Sequence, residues 1–235
     1  VVLLKSVEII PSSLKGEIRI PPSKSISHRA IICSGLCDGE NIIKNVLLSQ
    51  DIIDTCNALE ALGINIHYSR EGHGDTKTLA IRGNPELKPV KNIIDCGESA
   101  STLRFLIPLA SLAKEKLTFK GRGKLVQRPL DPYYEIFNDQ DLSFRTNNGN
   151  LPLVINGSLQ PGIFKVPGDI SSQFITGLMF ALPLLEWDSR IKITSPLESK
   201  AYVDLTLEML KKFSIEVENE DYKEVFIKGN QHYKP

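Results

Sequence analysis

The sequence predicts an α/β domain with pseudo-threefold symmetry, built from three repeated βαβαββ units. Their apolar helices lie inside, and their mixed sheets and amphipathic helices lie outside. Three series of features recurring in step along the chain predict this. Short strands end in a glycine at Leu79–Gly83, Leu153–Gly157 and Phe226–Gly229, with the glycines 74 and 72 residues apart. An amphipathic helix, a break and an alternating strand recur around Ile64, Leu142 and Ile215, which are 78 and 73 residues apart. A Ser-rich turn feeding an apolar helix opens each unit.

In chain order, Ser23-Lys24-Ser25-Ile26-Ser27 leads into an apolar helix over Ala30–Leu36. The next helix, Asp51–Leu62, carries one apolar stripe (Ile52, Ile53, Cys56, Leu59, Leu62), so it covers the outside. Gly63 suits its C-terminus, and Ile64–His67 alternates as a strand. The second unit opens with Gly97-Glu98-Ser99-Ala100-Ser101 before Leu103–Leu112, a helix apolar on nearly every face and therefore interior. Pro132 suits the first turn of its outer helix, Pro132–Asn138. The third unit opens with Gly168-Asp169-Ile170-Ser171-Ser172 before Phe174–Leu185, and Tyr202–Phe213 is its outer helix. Pro108 and Pro183 fall within helical patterns and are expected to kink or shorten those helices. The units run over about 12–84, 85–158 and 159–230, within a three-repeat domain of residues 12–235. Val1–Pro11 has no counterpart before the later units, so it is either an added strand or part of a domain this chain lacks.

The chain has 235 residues, 41% of them hydrophobic and 24% charged, enough to bury a sizeable core and outside the disordered and disulfide-scaffold classes. Lys+Arg and Asp+Glu both number 28, which argues against a nucleic-acid-coating protein but leaves room for a local cationic pocket. Cys33, Cys37, Cys56 and Cys96 show no CxxC pairing and read as reduced thiols. The longest strongly apolar run, Phe174–Leu185, has 12 residues and is too short to span a bilayer, and Val1–Lys5 has no basic leader. A soluble cytoplasmic protein is expected, with no nucleic acid or membrane partner.

Helix N-termini expose unpaired N–H groups and a partial positive charge. Converging in a pseudo-threefold domain, they attract an anion. Cations fall in the same segments: Lys24, Arg29, Arg104, Arg128 and Lys200. The residues therefore point to a site for a small, multiply anionic molecule. Each element also has a plainer reading. Serines cap helices, and Arg104 suits a carboxylate partner. Cys33 and Cys37 lack a matching His or Cys pair; His28, His67, His73 and His232 are scattered, so no metal is assigned. Asp51 and Asp54 read as first-turn helix acids. No P-loop or Gly-rich dinucleotide turn occurs.

Pro22-Ser23-Lys24-Ser25-Ile26-Ser27-His28-Arg29-Ala30 resembles the opening signature of the 5-enolpyruvylshikimate-3-phosphate (EPSP) synthase family, the 3-phosphoshikimate 1-carboxyvinyltransferases. Asp95–Arg104, Gln127-Arg128-Pro129, Ser171-Ser172-Gln173-Phe174 and Glu198–Asp204 match in order along the whole chain. The resemblance implies that family's inside-out α/β fold, and a cofactor-free, metal-free step of aromatic amino-acid synthesis. In it the 5-hydroxyl of shikimate 3-phosphate attacks C2 of phosphoenolpyruvate as C3 is protonated, and the tetrahedral intermediate then loses phosphate. By the same resemblance Lys24 touches both substrates, and Ser25 and Arg29 hold the shikimate carboxylate region. Ser171, Ser172 and Ser199 hold the 3-phosphate, with Tyr202 beside shikimate. Gln173 lies between the substrates, Arg128 clamps phosphoenolpyruvate, and Ala100 lines the phosphoenolpyruvate pocket.

Departures from the family pattern carry their own expectations. Ala100 stands where many members have glycine, and its methyl is expected to crowd glyphosate, the inhibitor associated with the family, more than the substrate. Glu98 replaces a frequent asparagine, with no assigned consequence. Family members are nearly twice as long and carry their general acid and base in a second half. The resemblance thus implies an N-terminal half-site, inactive alone and without catalytic residues of its own, whose missing C-terminal domain takes up residues 1–11 as a strand. The alternatives are a stand-alone, non-catalytic phosphometabolite-binding module, and a scaffold whose Lys24, Arg29 and Arg128 point in unrelated directions.

Overall fold

The computed structural model describes Glu8 and residues 10–18, 20–69 and 75–235; most of the expected strand 1–11, and His73, lie outside the described residues. Among the described residues six α-helices form the interior and its cover: α1 (Lys24–Gly35), α2 (Gln50–Ala61), α3 (Ala100–Ala110), α4 (Asp131–Asp139), α5 (Ser172–Ala181) and α6 (Lys200–Lys212). The side chains of α3 from Thr102 to Ala110 are all buried, and α5 is buried throughout except at Gln173. Outer helices fill the grooves between inner ones. Helix α2 packs on α1 and α3, and α6 packs on α5 and α1. Tyr133 of α4 reaches both α3 and α5, donating its hydroxyl to the Arg104 carbonyl at 2.6 Å and meeting the Phe174 ring edge-on at 4.9 Å.

Three sheets lie outside the helices. The strands of the second are β4 (Ile93–Asp95), β5 (Leu117–Lys120), β6 (Ser143–Asn147) and β7 (Asn150–Asn156), in the order β4-β5-β7-β6. The third repeats that order with β8 (Ile163–Val166), β9 (Ser189–Ile193), β10 (Val217–Glu220) and β11 (Glu224–Ile227), as β8-β9-β11-β10. In both sheets the first strand pairs parallel with the second and the remaining pairs are antiparallel. The first sheet has β1 (Gly39–Leu47), β2 (Asn65–Ser69) and β3 (Thr76–Gly83), in the order β1-β3-β2.

Among the described residues that sheet has no opening parallel strand of the kind expected of its unit. Residues 10–18 and 20–23 form no strand, and Ile10, Leu14, Ile18 and Ile20 stay exposed, so no buried face stabilises a pairing there. Near the start of β1, a parallel bridge joins Cys37 to Tyr233, from beyond the last strand.

The Ser-rich segments are also shorter turns than expected. Ser23, Ser99 and Ser171 are the N-caps themselves, accepting from the backbone N–H of Ile26, Thr102 and Gln173, so the apolar helices start at Lys24, Ala100 and Ser172, ahead of the expected Ala30, Leu103 and Phe174. The serines that follow ride on the first helical turns. Pro183 ends α5 by turning Leu182–Leu184 into a 3₁₀ turn, whereas Pro108 is absorbed within α3. Pro108 lacks the N–H that would reach the Arg104 carbonyl four residues back, and the Tyr133 hydroxyl takes that acceptor instead. No helix among the described residues is long and apolar enough to cross a membrane.

Candidate functional site

The N-terminal ends of α1, α3, α5 and α6 converge on a cavity of about 540 Å³. All ten residues singled out in the sequence line it: Lys24, Ser25 and Arg29 from α1, Ala100 from α3, and Arg128 from the loop before α4. Ser171, Ser172 and Gln173 come from the start of α5, and Ser199 and Tyr202 from the start of α6. Lys24, Arg29 and Arg128 therefore do not point in unrelated directions, which overturns the scaffold reading. With Arg104 they make four cations around one hollow, and no Asp or Glu lies among its lining residues. Four helix N-termini add their partial positive charges in the same place. Lys200 does not join them. Its ammonium lies 4.9 Å from the Tyr222 ring centroid and lines a separate hollow, because the first turn of α6 aims Ser199 and Tyr202, not Lys200, at the cavity.

The cations are held in different ways. Lys24 forms an ion pair with Asp51 at the start of α2, at a partly exposed position where such pairs are weak and exchangeable. Arg29 is buried. Its Nε donates to Thr206 Oγ1 at 2.9 Å, and its two terminal nitrogens donate to the carbonyls of Ser25 at 2.9 Å and Tyr202 at 3.0 Å. Its guanidinium lies 5.3 Å from the Phe105 ring centroid and 6.0 Å from that of Tyr202. Burial pushes the Arg29 pKa down to about 10, while the neighbouring Cys33 and Tyr202 act the other way. A guanidinium has five N–H donors, so two remain for an anion.

Arg104 is equally enclosed, donating to Gln173 Oε1 and to the Pro129 carbonyl, each at 3.0 Å. Its guanidinium lies over Phe174 at 4.6 Å, and burial lowers its pKa, with Arg128 adding to the effect and Tyr133 opposing it. The Gln173 amide nitrogen donates to Ser101 Oγ at 2.9 Å. Beneath the cavity, His28 Nδ1 lies 2.8 Å from Thr55 Oγ1, and the Thr55 and Thr102 hydroxyls are 2.6 Å apart. Thr102 in turn donates to the capping hydroxyl of Ser99 at 2.8 Å. This buried chain ties the starts of α1, α2 and α3 together.

A sequence profile described as EPSP synthase (3-phosphoshikimate 1-carboxyvinyltransferase) matches residues 9–235. The chain belongs to the EPSP synthase family. Among curated relatives, a 3-phosphoshikimate 1-carboxyvinyltransferase of Clostridium novyi (strain NT) is 52% identical over 231 residues, covering 97% of this chain and 53% of the relative. The enzyme of the same name from Clostridioides difficile (strain 630) is 49% identical over 234 residues, with the same coverage. The chain thus spans about half the length of the curated relatives it matches. A solved EPSP synthase structure from Acinetobacter baumannii shares the fold, with a TM-score of 0.78 at 22% identity over 93% of this chain and 48% of that one.

Within this EPSP synthase-type cavity, sequence reasoning counted Arg104 among the cations of the anion site but gave it no ligand, and assigned no role to Ser101, Phe105, Pro129 or Ile170, all of which line it. A signal existed. Ala100, Ser101, Arg104 and Phe105 fall at helical spacing, so once Ala100 is placed at the cavity the other three share its face of α3. Glu98 is exposed and absent from the cavity wall. Its carboxylate lies over Gly123, whose φ of +57° leaves that approach to a residue without a Cβ.

Proposed function

We propose that this chain supplies the N-terminal half-site of an EPSP synthase, binding shikimate 3-phosphate and phosphoenolpyruvate for enolpyruvyl transfer to the 5-hydroxyl of shikimate 3-phosphate. One observation carries the reading. In a member of this family, four cations and four helix N-termini face a hollow with no carboxylate in its wall, which fits substrates bearing phosphate and carboxylate groups. Ser171, Ser172 and Ser199 at the starts of α5 and α6 suit the 3-phosphate, and Ser25 and Arg29 the shikimate carboxylate region, with Tyr202 beside the ring. Arg128 and Ala100 suit phosphoenolpyruvate, and Gln173 sits between the two. Lys24 serves both ligands after exchanging Asp51 for an anion. The general acid and base belong to the C-terminal domain, the partner that completes the site, and the assembled enzyme works in the cytoplasm. Within this half, catalysis is positioning and electrostatic stabilisation of the phosphate that departs.

Calorimetric titration of the 235-residue chain with shikimate 3-phosphate tests the half-site. Weak, salt-sensitive binding is expected, abolished by Lys24→Ala alone and by Lys24→Ala with Arg29→Ala. No binding by a folded chain, together with no turnover after the second half of the Clostridium novyi relative is supplied, would overturn the proposal. In the completed enzyme Ala100→Gly is expected to increase glyphosate inhibition; equal inhibition of both forms would refute the steric role of the methyl.

A further inference from the structure

We propose that Arg104 is a positioning residue for phosphoenolpyruvate, fixing the amide of Gln173 so that its N–H, not its carbonyl, faces the ligands. The inference rests on the functional reading above and deepens it. An arginine can only donate, so the Gln173 atom facing Arg104 at 3.0 Å must be the oxygen. The amide nitrogen is thereby turned to the other side, where one N–H meets Ser101 Oγ at 2.9 Å and the second is left for the cavity. Phosphate and carboxylate oxygens are acceptors. Only this orientation of the amide attracts them, and the reverse would set a carbonyl dipole against them.

The same guanidinium donates to the Pro129 carbonyl, next to Arg128. Arg104 thus joins two walls of the cavity, the start of α5 and the loop before α4. Its own backbone is fixed as well. The Arg104 carbonyl, freed by Pro108, accepts from Tyr133, and Gly177 lets α5 close upon it: a Cβ there would stand 2.4 Å from both the Arg104 carbonyl oxygen and the Tyr133 hydroxyl. Arg104 need not touch substrate to act.

The test uses this chain completed with the second half of the Clostridium novyi relative, assayed as the unmodified protein and as Arg104→Met, Arg104→Lys, Gln173→Leu and Arg104→Met with Gln173→Leu. Losing the orienting bond is expected to raise KM for phosphoenolpyruvate about tenfold or more in Arg104→Met, the scale of a hydrogen bond to a charged group. KM for shikimate 3-phosphate should change less. Arg104→Lys should recover part of the loss, because one ammonium can serve Gln173 or Pro129 but not both as a fork does. In the Gln173→Leu background, Arg104→Met should cost much less than it does alone. A folded Arg104→Met protein with both KM values within about twofold of the unmodified one would overturn the inference while leaving the functional reading in place. A fall in thermal stability with both KM values raised alike would reduce Arg104 to a structural residue and also overturn it. An unmodified protein that neither turns over nor binds shikimate 3-phosphate would overturn the functional reading, and the inference with it.

Discussion

Acidification should destabilise this domain through His28. The imidazole is 1% exposed, its Nδ1 faces Thr55, and its Nε2 has no hydrogen-bond partner. Burial lowers its pKa from 6.5 to about 4; Asp51 opposes that shift, and the cations Lys24 and Arg29 reinforce it. The folded chain therefore holds His28 neutral at a pH where the unfolded chain has already taken up a proton. Above the unfolded value of 6.5 neither state is protonated, and His28 adds no pH dependence. As the pH falls through the window from 6.5 to about 4, only the unfolded state gains the proton, and each pH unit costs the fold about 1.4 kcal/mol. Integrated over the window, the loss approaches about 3 kcal/mol, a large share of the 5–15 kcal/mol that typically holds a domain of this kind together.

Urea unfolding followed by far-ultraviolet circular dichroism, repeated between about pH 7 and about pH 4.5, reads this loss directly. Trp187 fluorescence is the poorer probe, because that side chain is exposed in the folded state. His28→Gln is the control: it keeps a neutral polar group opposite Thr55 but cannot titrate. Other groups that take up protons in this range contribute to both proteins, so the difference between the two curves isolates the imidazole. The wild type should lose about 2–3 kcal/mol more than His28→Gln across the window. Parallel curves, agreeing within about 1 kcal/mol, would refute the argument that burial keeps this ring neutral.

Three further outcomes are expected. Gly177→Ala forces a methyl to 2.4 Å from the Arg104 carbonyl oxygen and the Tyr133 hydroxyl, and should destabilise the chain by about 3 kcal/mol or more, measured by chemical unfolding. Phe105→Ala removes a buried ring that meets Phe180 edge-to-face at 5.6 Å and faces Arg29; a loss of about 3–5 kcal/mol is expected, and less than about 1 kcal/mol would mean that the core closes over the gap. Asp51→Asn frees Lys24, and calorimetry should then show shikimate 3-phosphate binding several-fold tighter at low salt; weaker binding would mean that Asp51 aims the lysine instead of competing for it.

The helices and strands from β4 to β11 were legible because their signals are local. A glycine after β7 and after β11, one apolar stripe on each outer helix, and a serine just ahead of α3 and α5 are patterns each read within about one element of the chain. That the described residues 10–18 and 20–23 form no opening strand was not legible. Ile18 and Ile20 alternate like strand residues, but a strand needs an edge to pair with, and the pattern does not say whether one is offered. Chain separation hid the rest of the site. Arg104 meets Gln173 across 69 residues and Arg29 meets Thr206 across 177, so neither partner could be read from neighbouring positions.

The way the cations are buried ties the stability of this domain to its chemistry. Arg29 and Arg104 are withdrawn from water yet share no carboxylate; the donors that are met go to carbonyls, a threonine hydroxyl and one amide, Arg104 Nε is buried with no partner, and their flat faces lie on Phe105 and Phe174. Such neutral partners satisfy hydrogen bonds without cancelling charge, so the desolvation cost of each guanidinium is only partly offset. A glutamate beside either would reduce that cost and would also fill the place of an anionic ligand. Among the described residues Lys24 alone of the four forms an ion pair with a carboxylate, and that pair sits where water reaches it and exchange is cheap. The uncompensated charge therefore belongs to the deep wall and the exchangeable pair to the rim. That order suits a site where an anion first displaces Asp51 and then settles against groups that need not move to receive it.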